Sequence, residues 1–156
     1  MIIWLNGPFG VGKTTLANIL HKRIENSYLY DSELLGDFLQ HQLPQTVCPE
    51  DFQDYSVWRQ STYKIVFDLT AKQEIIQQLI KDKIPLEHYI LLADKTTILE
   101  RLDNRVTEDN IWAKKHLDVC LKAFESHIPG QRLNTDSLKP EEVAKEILML
   151  STFTVK

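Results

Sequence analysis

Eight consecutive residues carry the strongest chemical signal in the chain: Gly7-Pro8-Phe9-Gly10-Val11-Gly12-Lys13-Thr14. They fit G-x-x-x-x-G-K-[ST] at every fixed position. A chance match is expected in roughly one chain in two hundred of this length. Phosphate oxygens must approach backbone N–H groups closely, and side chains at Gly7, Gly10 and Gly12 would obstruct the loop or its conformation. Val11 belongs to the same cradle. Lys13 can reach β- and γ-phosphates as a mobile point charge, Thr14 can ligate Mg²⁺, and Thr15 can add a phosphate contact. A helix beginning near Lys13 points its positive dipole end at the anion.

Other polar residues fall where a ligand would be met. Asp31 ends a short run, Ser27-Tyr28-Leu29-Tyr30, that reads as a strand. In a doubly wound sheet that edge faces the ligand crevice. Its carboxylate can orient or deprotonate a hydroxyl, bind Mg²⁺ through water, or simply cap the next helix. Glu33 can assist or serve the helix dipole. Arg59, beside Trp58 and Tyr55, offers a planar guanidinium suited to a carboxylate or phosphate, or a solvated helix charge. Arg101 and Arg105 lie four apart and share a helical face, where Glu100 and Asp103 are their simplest partners. Lys114 and Lys115 read as a solvated face before a phosphate contact. The histidines (His21, His41, His88, His116 and His127) have no metal-ligand spacing.

The elements that must position these residues follow from hydropathy patterning. Ile2 to Leu5 is a short apolar run suited to a buried strand. Leu16, Ile19, Leu20 and Ile24 then recur at helical spacing. Ser32 begins a helix carrying Leu34, Leu35, Phe38 and Leu39; His41 to Glu50 is a loop; a helix from Asp51 carries Tyr55, Trp58, Thr62, Val66 and Leu69. Ala71 to Lys83 is helical, His88 to Ala93 a strand, Thr96 to Arg105 and Ile111 to Phe124 helices, and Gln131 to Asn134 a last strand. Pro140 opens a C-terminal helix with Val143, Ile147 and Leu148. Strands alternating with helices imply an α/β fold with a parallel sheet covered on both faces. Without repeats or linkers, residues 1–156 read as a single domain.

Composition narrows the classes. The 156 residues carry a net charge of −4, with 43% hydrophobic and 26% charged residues, an ordinary globular balance. Mild negative charge argues against nucleic acid or anionic membrane as a partner. Cys48 and Cys120 have neither zinc nor disulfide-framework spacing and read as free thiols in the cytoplasm. The opening apolar run is too short for a membrane span and lacks the basic flank of a signal peptide.

The phosphate loop alone supports nucleotide binding without choosing a kinase, a GTPase switch, a motor or a regulator. Further stretches bear on the choice: Met1 to Thr15, Tyr30-Asp31-Ser32-Glu33, Asp51-Phe52-Gln53-Asp54-Tyr55 with Trp58-Arg59, Leu99 to Arg105, Trp112-Ala113-Lys114-Lys115 and Thr135-Asp136-Ser137-Leu138. Together they resemble small P-loop kinases, nearest the tunicamycin resistance protein family. The resemblance implies a three-layer P-loop NTPase fold, like nucleoside-monophosphate kinases, with sheet order 2-3-1-4-5. It implies ATP and Mg²⁺ as cofactors and a nucleoside, nucleotide, sugar or antibiotic as acceptor, in a monomer or homodimer. It also implies a mobile LID around 101–115 edged by Arg101 and Arg105, a catalytic role for Lys13, Asp31 and these arginines, and acceptor binding by Asp31, Glu33 and Arg59. The loop holding Asn134 and Asp136 would border adenine. The alternative is an ATP-binding resistance or regulatory protein that holds its ligand without phosphorylating it.

The third strand is not found. Losing it would part strands two and one by about two strand spacings, ~9.6 Å. Tyr63 to Thr70 alternates well enough to fill the place but also continues the helix from Tyr55; otherwise a strand and turn are missing near Ala71, or the sheet is reorganised. Asp68 is the candidate for an acid on that strand.

Overall fold

The computed structural model describes residues 2–47, 49, 51–65, 86–105, 110–125 and 128–151. In chain order the elements are β1 (Ile2–Asn6), α1 (Lys13–Arg23), α2 (Glu33–Gln42), α3 (Ser56–Ile65), β2 (Leu86–Leu92), α4 (Lys95–Asp103), α5 (Asn110–Glu125), β3 (Gln131–Asn134) and α6 (Pro140–Leu150). Short 3₁₀ turns at Gln45–Val47 and Phe52–Asp54 separate α2 from α3. The expected helix over Ala71 to Lys83, the candidate acid Asp68, Cys48, and residues 106–109 of the expected LID lie outside the described residues. Among the described residues no helix is long and apolar enough to cross a membrane.

The chain divides into two compact units, residues 1–29 with 86–156, and residues 30–85. In the first, β1, β2 and β3 form a parallel sheet in the order β1-β2-β3. Register runs from Ile2↔Leu86 to Asn6↔Ile90 and from Tyr89↔Gln131 to Leu92↔Asn134. Parallel strands bring Asn6, Leu92 and Asn134 to one sheet edge, so the turns after them share that edge. The period-3.6 stripes end up inside: Leu16 and Leu20 of α1, Ile98 and Leu102 of α4, Leu117 of α5, and Val143 and Ile147 of α6 are buried with Tyr89, Leu91 and Leu133 of the sheet. Each such apolar side chain contributes about 1.5–3 kcal/mol by leaving water.

The opposite edge is closed by protein. His88 Nδ1 donates to the Pro129 carbonyl at 2.5 Å, so the ring is the Nδ1–H tautomer. Gly130 packs so tightly on this ring that a Cβ would lie 2.9 Å from His88 Nδ1. Burial pushes the His88 pKa below its ordinary value, the nearby Arg132 charge adds to this, and the Pro129 hydrogen bond opposes it. On the other sheet face Tyr89 donates to Glu87 at 3.1 Å, and burial with this carboxylate raises its phenol to about 12.

Among the described residues the sheet holds three parallel strands in the order β1-β2-β3, and the five-strand order 2-3-1-4-5 remains an expectation. Ser27 to Tyr30 is not a strand. Tyr28 is 88% exposed, which a strand buried on both faces would not allow. Tyr63 to Ile65 form the last turn of α3, so helical continuation wins over alternation there. His41 belongs to α2 rather than to the loop, and α4 ends at Asp103, before Arg105.

The second unit is built around α2 and α3. Trp58 is 1% exposed, and its indole N–H donates to the Ser32 carbonyl at 2.8 Å. Thr62, one turn along the same face, is fully buried. Arg59 Nη1 donates to the Gln53 carbonyl at 2.6 Å, and Asp51 Oδ1 accepts from Gln53 N at 2.8 Å, fastening the 3₁₀ turn to α3.

Candidate functional site

Strand β1 ends in Asn6, buried, whose Oδ1 accepts the Gly7 N–H at 3.0 Å and so starts the loop. At Gly7 a Cβ would lie 2.5 Å from the Leu91 carbonyl oxygen, so only glycine lets the loop cross the end of β2. Gly12 is the N-cap of α1, with φ 103° in the left-handed region. A Cβ there would meet nothing within 4 Å, so the approach to the helix end stays open. No side chain caps α1, and its first turn holds no acidic residue. The result is an open, electropositive helix end inside a glycine loop, the arrangement that binds phosphate. Thr14 and Thr15 are exposed at this end. Lys13 Nζ donates to the Gly7 carbonyl at 2.9 Å and the Pro8 carbonyl at 3.1 Å, which holds its charge within the loop.

A cavity of about 280 Å³ opens from this loop. Its walls include Gly10, Val11, Gly12 and Thr15, then Arg101 and Arg105, then Leu91, Thr135, Leu138, Pro140 and Val143. One end is therefore backbone amide and cation, while the other is mostly apolar. Arg101 is tied into the wall. Its Nη1 donates to Thr135 Oγ1 at 3.0 Å and to the Val11 carbonyl at 3.3 Å, and its Nη2 donates to the Thr135 carbonyl at 2.5 Å. Thr135 is buried and held in turn by Leu92, whose carbonyl accepts from its N at 2.8 Å and its Oγ1 at 3.1 Å. Arg101 thus joins the phosphate loop to the turn after β3. Arg105, just past α4, is exposed at the same cavity.

Asn134 and Asp136 shape the turn. Asn134 Oδ1 accepts from Asp136 N at 2.8 Å, and Asp136 Oδ1 accepts from Asp94 N at 2.8 Å. The Asp94 N–H is the main reason the Asp136 carboxyl is held below the usual carboxylate range, with Thr97, Asn134 and the Arg101 charge contributing less. Lys114 pairs with Asp103 across α4 and α5, and Lys115 is exposed. In the second unit, Asp31 Oδ1 accepts from Glu33 N at 3.0 Å, so the carboxylate does helix-start work with one oxygen. Glu33 is exposed on the first turn of α2, and Arg59 spends one nitrogen on Gln53.

The first unit thus gathers Gly10, Val11, Gly12, Thr15, Arg101 and Arg105 around one cavity that starts at the Lys13 helix end. Thr135 stood in the loop expected to border adenine, but its residue type did not mark it as the buried anchor for Arg101. Pro140 and Val143 carried only a helix-start and core signature, and nothing in their types or in that of Leu138 marks them as cavity wall. Asn6 had a readable signal, a polar residue ending an apolar strand.

The family model for adenylylsulphate kinase matches residues 1–65. A probable adenylyl-sulfate kinase of Archaeoglobus fulgidus is 54% identical over 43 residues, and this match spans 27% of the chain and 27% of that relative's length. The tunicamycin resistance protein of Deinococcus radiodurans superposes with a TM-score of 0.74 at 22% identity, covering 98% of this chain and 96% of that one. Shikimate kinase from Bacteroides thetaiotaomicron gives 0.66 at 16% identity, covering 95% and 96%. In its N-terminal sequence the chain resembles adenylylsulphate kinases, and the fold it adopts is the α/β fold of P-loop small-molecule kinases.

Proposed function

We propose that the chain is an ATP-dependent phosphotransferase that moves the γ-phosphoryl group of ATP to a hydroxyl of a small-molecule acceptor in the cytoplasm. The observation that carries this is the continuity of the open α1 end with the cavity: a polyanion tail fits the loop, and a flat apolar base fits the space toward Leu138 and Val143. The planar Arg101 guanidinium in the wall gives such a base a face to lie on.

Lys13 and Arg105, with Arg101 beside them in the cavity wall, are assigned to the charge that spreads over the transferring phosphoryl oxygens, and water exclusion strengthens that interaction. The exposed Thr14 hydroxyl at the helix end suits Mg²⁺, which when bound neutralises charge on the β- and γ-phosphates. Asp31, in the second unit, is assigned to the acceptor hydroxyl, with Glu33 and Arg59 binding the acceptor. The bond from the β–γ bridging oxygen to phosphorus breaks, the acceptor oxygen takes its place, and the hydroxyl proton leaves to Asp31 or solvent.

Coupled ATP turnover measured across nucleosides, nucleotides, adenylylsulfate, sugars, shikimate, aminoglycosides and tunicamycin tests this reading. The expected result is phosphorylated product from one class. A ligand that binds at saturation and yields none would make the chain a nucleotide-dependent binding or resistance protein instead. Asp31→Asn is expected to spare ATP affinity and cut transfer by about 10²–10⁴-fold. A collapse of ATP affinity would move Asp31 to the metal site.

A further inference from the structure

The phosphotransfer reading leaves one group of side chains without a task. The loop pattern leaves its third position unconstrained, yet Phe9 stands there half-buried. Its ring meets Trp112 of α5 edge to face, with centroids 5.0 Å apart and planes at 83°. Trp112 stacks on His116, one turn along α5, at 4.3 Å and 30°. The His116 ring is itself held, with Nδ1 donating to the Trp112 carbonyl at 2.9 Å. Lys13 Nζ lies over the same Phe9 ring, 5.8 Å from its centroid, while it donates to the Gly7 and Pro8 carbonyls. The ammonium thus rests against two carbonyl oxygens and one aromatic face.

The start of α5 is firmly placed. Asn110 Nδ2 donates to the Leu102 carbonyl at 2.6 Å, and Lys114 pairs with Asp103. Trp112 therefore comes to Phe9 from a fixed corner of α4 and α5. An edge-to-face aromatic pair has an orientation preference that aliphatic packing lacks. A cation is drawn to the ring face electrostatically. Packing alone would explain why Trp112 and Phe9 touch; it would not require an aromatic ring where the ammonium lies.

We infer that Phe9 and Trp112 are positioning residues for Lys13: Phe9 supplies the face that places the ammonium, and Trp112 sets the orientation of that face. The inference rests on the nucleotide-binding part of the phosphotransfer reading. It makes the helix following Arg105 part of the phosphate site without contact to phosphate.

A double-mutant cycle tests it, with MgATP affinity measured by calorimetry, at millimolar nucleotide where needed. The variants are Phe9→Leu, Lys13→Ala and the pair. Phe9→Leu is expected to weaken MgATP binding about three- to tenfold when Lys13 is present and to change it less than about 1.5-fold in the Lys13→Ala background. Phe9→Tyr, which keeps the ring, is expected to stay within about twofold of wild type. Equal losses in the two backgrounds would overturn the inference alone. So would a loss of stability with affinity unchanged. Should Phe9→Leu fail to fold, the same cycle with Trp112→Leu decides the question by the same criterion. Wild-type protein that takes up no MgATP would overturn the phosphotransfer reading and this inference together.

Discussion

Two helices of the first unit pack against each other and begin in opposite ways. Helix α6 finishes its own start. Pro140 opens it, Glu141 and Glu142 stand in its first turn, and Glu142 Oε2 accepts the Lys139 N–H at 2.7 Å. Helix α1 has no side-chain cap, no acid in its first turn, and a left-handed glycine as N-cap. A helix start has four N–H groups to satisfy and a positive dipole end to balance. At α6 Glu142 takes one of these N–H groups, that of Lys139, and two first-turn acids balance the dipole. At α1 the protein supplies neither, and adds the Lys13 charge beside the open end. The difference separates a helix built for stability from one whose start is reserved for an anion, although both took the same helical pattern to form.

The contrast can be broken in graded steps. The largest effect is expected from Lys13→Ala: turnover falls by about 10²–10³-fold, while stability in a denaturant titration changes by less than about 1 kcal/mol. Equal turnover in wild type and variant would remove Lys13 from the site. Next comes Gly12→Asp, which gives α1 the carboxylate that α6 already has. MgATP affinity is expected to drop at least about 100-fold by calorimetry. Stability is expected to fall by about 1–2 kcal/mol from the left-handed strain alone, so the affinity is read on protein shown to be folded. Retained affinity would show that the α1 end is not the phosphate site.

The complementary change at α6 should act on stability alone. Glu142→Ala is expected to cost about 0.5–2 kcal/mol in denaturant unfolding and to leave MgATP affinity unchanged. A tenfold loss of affinity would show that the two helix ends are not separate in function. The smallest effect concerns the closed sheet edge. His88 has a folded pKa below its unfolded value of about 6.5. The unfolded chain therefore binds the proton first, and stability present above pH 6.5 is lost as pH falls through the lowered folded pKa. Between pH 6.5 and 5.5 the loss attributable to His88 is expected not to exceed about 1 kcal/mol. It should vanish in His88→Gln; an unchanged slope in that variant would assign the acid sensitivity elsewhere.

The identity of β1, α1, β2, α4, α5, β3 and α6 was legible in the sequence, because each is a local pattern: apolar runs for strands, 3.6-residue stripes for helices, Pro140 for a helix start. The phosphate loop was legible for a related reason. Close backbone approach restricts residue type at fixed spacing, so the chemistry writes itself into seven or eight neighbouring letters. Ser27 to Tyr30 misled because a short run alternating with tyrosines looks the same whether or not it pairs, and only pairing makes a strand. Arg101 is the clearest case at the site. Its spacing to Arg105 predicted one shared face, and both do line one cavity, but its hydrogen bonds to Val11 and Thr135 join residues 90 and 34 positions away.

What the sequence determined by itself was a glycine loop between a strand and a helix, with a lysine and two threonines where a phosphate would lie. What the tertiary structure decided was the room beside it. Three parallel strands brought the ends of β1, β2 and β3 to one edge, and this set Thr135, Leu138, Pro140 and Arg101 around a single cavity. Residue type records what a backbone must tolerate locally; it does not record which distant turns will meet, because that follows from strand register and the packing of whole helices.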